Sequence, residues 1–149
     1  MKKPYFAYGS NMNLAQMAER CPGARLLGLA RLRGWRFLIN SRGYATAREE
    51  SGAEIFGGLW ELTEEHGRTL DRYEGVAAGY YERVDFLVSV WPEGEDADVF
   101  AYLATDDLPG VPSARYHQAV VNGAREIGLP EEYLAELEAW RAGPPADLK

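Results

Sequence analysis

The sequence predicts an α+β fold. Strand signals outnumber helix signals, the strands tend to follow one another as hairpins, and helical periodicity gathers at the flanks and the end of the chain. Alternation is clearest where Val84, Phe86, Val88 and Val90 interleave with Asp85, Leu87 and Ser89. An acidic turn from Pro92 to Asp96 then returns the chain antiparallel through Val99 to Leu103. Periodicity alone leaves open whether the sheet closes on itself.

Tyr5, Phe6, Ala7 and Tyr8 form a short apolar strand that runs into Gly9, Ser10, Asn11 and the start of a helix. Without a Cβ, Gly9 lets the backbone turn sharply and approach a ligand, and amides opening a helix point outward, unpaired. Such a turn suits an anion, and it is equally how an ordinary polar-capped turn is built. Leu14, Met17, Ala18 and Cys21 recur at helical spacing until Pro22 and Gly23 end the segment. Arg25 to Ile39 predicts two strands meeting at Gly34, and the small, polar stretch from Asn40 to Glu54 predicts a mobile loop able to cover a site. Ile55 to Leu62 returns to strand, with Gly57 and Gly58 where backbone must pass close to a neighbour.

Thr63 is placed to cap a helix whose first turn carries Glu64 and Glu65 at the positive end of the dipole. Leu70 and Tyr73 supply its buried stripe, and Gly75 sits at the expected left-handed C-terminal cap. Pro112 and Ser113 open a helix with Tyr116, Val120, Ala124 and Ile127 on one face; Pro130 opens another with Tyr133, Leu137 and Trp140. Residues 1–142 read as one domain and residues 143–149 as a tail.

With 149 residues, 46% hydrophobic and 26% charged, the chain is expected to fold as a single soluble unit. A net charge of −7 argues against nucleic acid as a partner, since phosphate binding needs a basic surface; Arg31, Arg33 and Arg36 read as the solvated face of a strand. Cys21, the only cysteine, rules out an intramolecular disulfide and reads as a core residue. With no long apolar run, neither a signal peptide nor a membrane partner is expected, which points to the cytoplasm. His66 and His117 lack metal-ligand spacing, so no metal is expected, and the oligomeric state, monomer or homodimer, is undecided.

The run YFAYGSN resembles the signature of the gamma-glutamylcyclotransferase family and its plant avirulence-induced-gene-like relatives. Phe56 to Trp60 resemble that family's central strand, Tyr73 to Val76 with Gly79, Tyr80 and Tyr81 its catalytic-glutamate segment, and Ser113 to Tyr116 its late tyrosine. Met12 stands where the family more often has leucine, a small departure between side chains of similar size. The resemblance implies a small mixed β-barrel flanked by helices. It implies Glu74 as the catalytic residue, with Tyr5, Phe6, Ala7, Tyr8, Gly9, Ser10, Asn11 and Tyr116 binding a small γ-glutamyl substrate, and no cofactor.

The residues offer their own argument for Glu74. Four positions after Leu70 it falls on the buried side of its helix, at the negative end, beside Tyr73 and the Tyr80, Tyr81 pair. Desolvation and the dipole both oppose its charged form and move it toward useful proton-transfer chemistry near neutral pH. Glu82 is the second choice, and Tyr8 and Tyr116 read equally well as core tyrosines. The implied reaction is intramolecular aminolysis: the substrate's α-amino nitrogen attacks its γ-carbonyl, giving 5-oxoproline and a free amine. A ligand-holding module without turnover, or an interaction protein using Trp91 and Trp140, are the alternatives.

Overall fold

The computed structural model describes residues 1–148. Five strands, β1 (Tyr5–Ala7), β2 (Arg25–Ile39), β3 (Ala45–Glu61), β4 (Tyr81–Trp91) and β5 (Asp96–Ala104), close into a barrel in the order β1-β3-β2-β4-β5. All neighbours are antiparallel except β1 and β5, which meet at Tyr5 and Phe100. Four helices flank it: α1 (Leu14–Arg20), α2 (Glu64–Tyr73), α3 (Ala114–Ile127) and α4 (Glu131–Ala139). Closure settles the alternative that periodicity left open.

β1 is short and buried along its whole length. Phe6 and Ala7 are wholly enclosed, and β1 slots against β3 only because Gly57 has no side chain: a Cβ there would lie 2.3 Å from the Ala7 carbonyl oxygen. The close passage expected at Gly57 is therefore a strand-on-strand contact. Beyond Gly9 the chain does not enter an α-helix directly. One 3-10 turn, Ser10–Met12, intervenes, and Asn13 then caps α1 by accepting a hydrogen bond from the Gln16 amide at 3.0 Å.

Two expectations in the middle of the chain are overturned. Arg25–Ile39 is one strand, and Gly34 is an irregularity within it, where pairing jumps from Arg33↔Glu54 to Trp35↔Glu49 around Gly34 and Gly52, both with positive φ. The expected loop from Asn40 to Glu54 is mostly strand: only residues 40–44 turn, and β3 begins at Ala45. Its polar Thr46 is wholly buried, and its hydroxyl accepts a hydrogen bond from the Ala104 amide at 2.9 Å, a long-range partner that local composition does not reveal.

Thr63 caps α2 as expected, with His66 completing a reciprocal pair of hydrogen bonds at 3.1 Å each. His66 also lies 2.7 Å from the Pro22 carbonyl, and His117 lies 3.0 Å from the Leu137 carbonyl, so each histidine meets a carbonyl of a different segment. The segment expected as a tail is docked: Leu148 is buried, and Asp147 receives two hydrogen bonds from Arg36 at 2.6 and 2.9 Å. Trp140 is likewise buried, edge-on to Phe37, and is no exposed binding aromatic. Cys21 is buried as expected. Among the described residues no helix is long and apolar enough to cross a membrane.

α3 lies directly on the turn after β1. At Gly123 a Cβ would meet the Asn13 amide nitrogen at 2.5 Å and the Met12 carbonyl carbon at 2.7 Å, both backbone atoms. Helix propensity favours alanine over glycine by about 1 kcal/mol, whereas overpacking costs about 1–3 kcal/mol. With backbone on both sides the second effect should win. Gly123→Ala is therefore expected to lower stability by up to about 2 kcal/mol, read as a lower urea midpoint with an unchanged slope.

Candidate active site

A cavity of about 400 Å³ opens between the β1 turn, the end of α2, the β2–β3 turn and α3. Tyr5, Tyr8, Gly9, Ser10 and Asn11 line one side with Gln16 and Arg20, Arg72 to Gly75 and Tyr80 to Tyr81 another, and Arg42, Tyr44, Ala45, Tyr102 and Tyr116 complete it. Glu74 and the glycine turn thus share one hollow.

The turn is held in place by polar side chains. Asn11 is buried, donates to the Tyr5 hydroxyl at 2.9 Å, and accepts from Gln16 at 2.9 Å and Arg20 at 3.1 Å. Its carbonyl accepts from the Trp60 indole at 3.1 Å, and Ser10 accepts from Gln16 at 2.8 Å. Gly9 is needed for space: a Cβ would lie 3.2 Å from the Tyr116 hydroxyl and 3.1 Å from the Ala45 Cβ. Its φ of −109° is not left-handed, so close approach is the reason for glycine here.

Glu74 ends α2 as its C-terminal cap, with Gly75 following at φ +65°. Its half-buried carboxyl is pushed up to about 7 by loss of hydration, with the Arg20 guanidinium pulling weakly the other way. Arg20 donates to Asn11, lies 4.2 Å from the centre of the Tyr73 ring and forms no ion pair with Glu74 among the described residues, and burial is the larger effect.

The surrounding phenols are held neutral. Burial, with the Glu74 charge adding to it, raises Tyr5, Tyr8 and Tyr81, and Tyr116 to about 12. Tyr116 accepts from the Ala45 amide at 3.0 Å and Tyr81 donates to the Ala45 carbonyl at 2.6 Å, so two phenols pin the start of β3 to the cavity wall. No cysteine or histidine lines the cavity, which leaves Glu74 as the lining group shifted into the neutral range.

Of the expected site residues, Glu74, Tyr5, Tyr8, Gly9, Ser10, Asn11 and Tyr116 converge on the cavity. Phe6 and Ala7 do not, because β1 is so deeply enclosed that their side chains are core. Glu82 is exposed on β4 and does not line the cavity. Sequence reasoning missed Gln16, Arg20, Arg42, Tyr44, Arg72 and Tyr102, which also line it. Arg20 carried one available signal: it lies on the second helical turn after the glycine, within reach of anything bound there.

Comparison with known proteins finds relatives in sequence and in fold. Residues 54–137 match the AIG2-like family. The chain is 33% identical over 145 residues to human gamma-glutamylcyclotransferase, covering 91% of this chain and 77% of that protein, and 32% identical to the mouse protein with the same coverage. A solved structure named gamma-glutamyl cyclotransferase superposes with a TM-score of 0.84 at 31% identity, over 97% of this chain and 89% of that one.

A carboxyl raised in the folded state loses stability as pH rises from its unfolded value through its folded one. For Glu74 that window runs from about 4.5 to about 7. Glu74→Gln cannot ionise, so between pH 4 and pH 8 it is expected to gain about 2–3 kcal/mol on the parent protein. Urea unfolding at both pH values checks the sign. In parallel, Arg20→Met should move the Glu74 midpoint further up, which carbon-detected NMR titration of the carboxyl reads directly.

Proposed function

Because the chain belongs to the AIG2-like, gamma-glutamylcyclotransferase family, we propose that the hollow between Glu74 and the Gly9 turn is where it performs cyclotransfer, with Glu74 as general acid and base. The enzyme converts a γ-glutamyl amine or γ-glutamyl amino acid to 5-oxoproline and free amine. The observation that carries the residue assignment is that Glu74, pushed up to about 7, faces the glycine turn across a cavity of about 400 Å³.

Both reacting groups belong to one substrate, so the protein must fold it, remove a proton and support negative charge. Glu74 takes a proton from the α-ammonium, and the freed nitrogen bonds to the γ-carbonyl carbon. That places negative charge on the carbonyl oxygen. As the bond to the leaving amine breaks, its electron pair stays on that nitrogen, to which Glu74 gives the first proton; Glu74 then takes the second proton from the ring nitrogen and passes it to the released amine, which departs as the ammonium while the charge collapses into the lactam carbonyl. Amides of Gly9 and Ser10, with the Tyr116 hydroxyl beside them, supply donors for the α-carboxylate or the oxyanion. The neutral phenols donate hydrogen bonds and do not compete with Glu74 for the proton. The substrate is a small γ-glutamyl compound, and this reading needs no metal or organic cofactor.

Cyclotransfer is expected to fall about tenfold per pH unit below pH 7, where Glu74 becomes protonated. Glu74→Gln should lose at least about 100-fold in kcat while still binding substrate. Release of 5-oxoproline from a γ-glutamyl panel is the measurement. Parent-level turnover by Glu74→Gln would remove the base assignment, and a flat profile between pH 5 and pH 8 would do the same.

A further inference from the structure

Three arginines, Arg20, Arg42 and Arg72, line the cavity against one carboxylate, Glu74, in a chain whose net charge is −7. The mouth is thus a cationic spot on an anionic molecule and favours an anionic ligand. The three are not equally free. Arg20 is engaged by Asn11 and Tyr73, and Arg72 donates to Thr69 at 3.3 Å along its own helix. Arg42 lies 3.7 Å from the centre of the Tyr80 ring and 5.6 Å from that of Tyr44, and makes no ion pair among the described residues. Asp106 is the nearby acid: its oxygens accept from the Ser41 hydroxyl and the Leu108 amide, and it feels the Arg42 charge without forming an ion pair with it among the described residues.

Arg42 is also held in position before anything binds. It sits in the β2–β3 turn, which the buried Asn40 organises: its Oδ1 accepts from the amides of Arg42 and Tyr44 at 3.1 Å each, and its Nδ2 donates to the Asp106 carbonyl at 3.0 Å. Ala45, which follows the turn, is pinned by Tyr81 and Tyr116. On the far side Tyr80 belongs to the segment that follows Glu74, where the Tyr80 amide donates to the Gly75 carbonyl at 3.1 Å. Tyr44 and Tyr80 are exposed, whereas Tyr5 and Tyr8 beside the Gly9 turn are buried, so Arg42 marks the open end of the cavity. A charge stacked on aromatic rings at that end is suited to the part of the substrate that leaves.

We propose that Arg42 is a specificity-determining residue that pairs with a carboxylate on the leaving amine, so that amines bearing such a group are released in preference to plain alkylamines. The assignment rests on the cyclotransfer reading above. Because this contact exists in the bound substrate and in the transition state alike, losing it should raise KM and leave kcat little changed. An effect through Glu74 would instead move kcat and the pH profile.

The test uses γ-glutamyl-L-alanine and γ-glutamyl-ethylamine, which differ only by the carboxylate. The parent enzyme is expected to prefer the alanine compound in kcat/KM. Arg42→Gln should cut that preference about tenfold or more through KM, with Arg42→Lys keeping part of it and Arg33→Gln, on the solvated face of β2, keeping all of it. Equal preference in the parent and Arg42→Gln, or no preference in the parent, overturns the assignment. Calorimetric binding of both compounds to Glu74→Gln, with and without Arg42→Gln, needs no turnover. A binding preference that disappears with Arg42, when the parent protein turns over neither compound, would retire cyclotransfer and keep Arg42; equal binding, or none, would retire Arg42.

Discussion

A carboxyl group placed where water is scarce, with no cation paired to it among the described residues, is the constraint on which the rest of the structure turns. Arg20 donates to Asn11 and lies against the Tyr73 ring, and loss of hydration is the larger effect on Glu74. The polar network around the first turn therefore does two things at once. It holds the backbone at Gly9 and Ser10, and it fixes Arg20, whose charge partly offsets the burial of Glu74.

The phenols extend the same logic. An ionisable wall would compete for the proton and blur the role of the one acid; a purely apolar wall would leave Ala45 with backbone groups unsatisfied at the cavity edge. Tyrosine avoids both. Buried beside a carboxylate it stays neutral, and its hydroxyl still serves the Ala45 amide and carbonyl. The hairpin tip is thereby fastened to the site by the side chains that line it, which is why a segment of loop-like composition behaves as a wall.

Much of this architecture is legible in local chemistry alone. The caps at Thr63 and Ser113, the left-handed Gly75, the alternation of β4 and the position of Glu74 on its helix depend on neighbours a few residues away. What is not legible depends on distant partners. Thr46 is a strand residue because β5 supplies Ala104, Phe6 and Ala7 are core because Gly57 admits β1, and residues 146–148 dock because Arg36 on β2 meets Asp147. Composition can mark glycine at Gly34, but whether it ends a strand or bulges it is decided by Gly52 on the facing strand. The site follows the same rule: residues within the glycine and glutamate motifs can be read from the sequence, and those contributed by the β2–β3 turn cannot.

Stability and reactivity pull against each other at Glu74. Above pH 7 the folded state carries an ionised carboxylate with little hydration, a cost the unfolded chain does not bear. Were Arg20 to pair with it directly, that cost would fall, but so would the basicity that makes the group useful for taking a proton from an ammonium. The arrangement holds the intermediate position: the Arg20 charge offsets part of the penalty and burial keeps the rest. In the proposed reaction substrate completes the balance, because a bound α-ammonium would bring positive charge to Glu74 only while the site is filled.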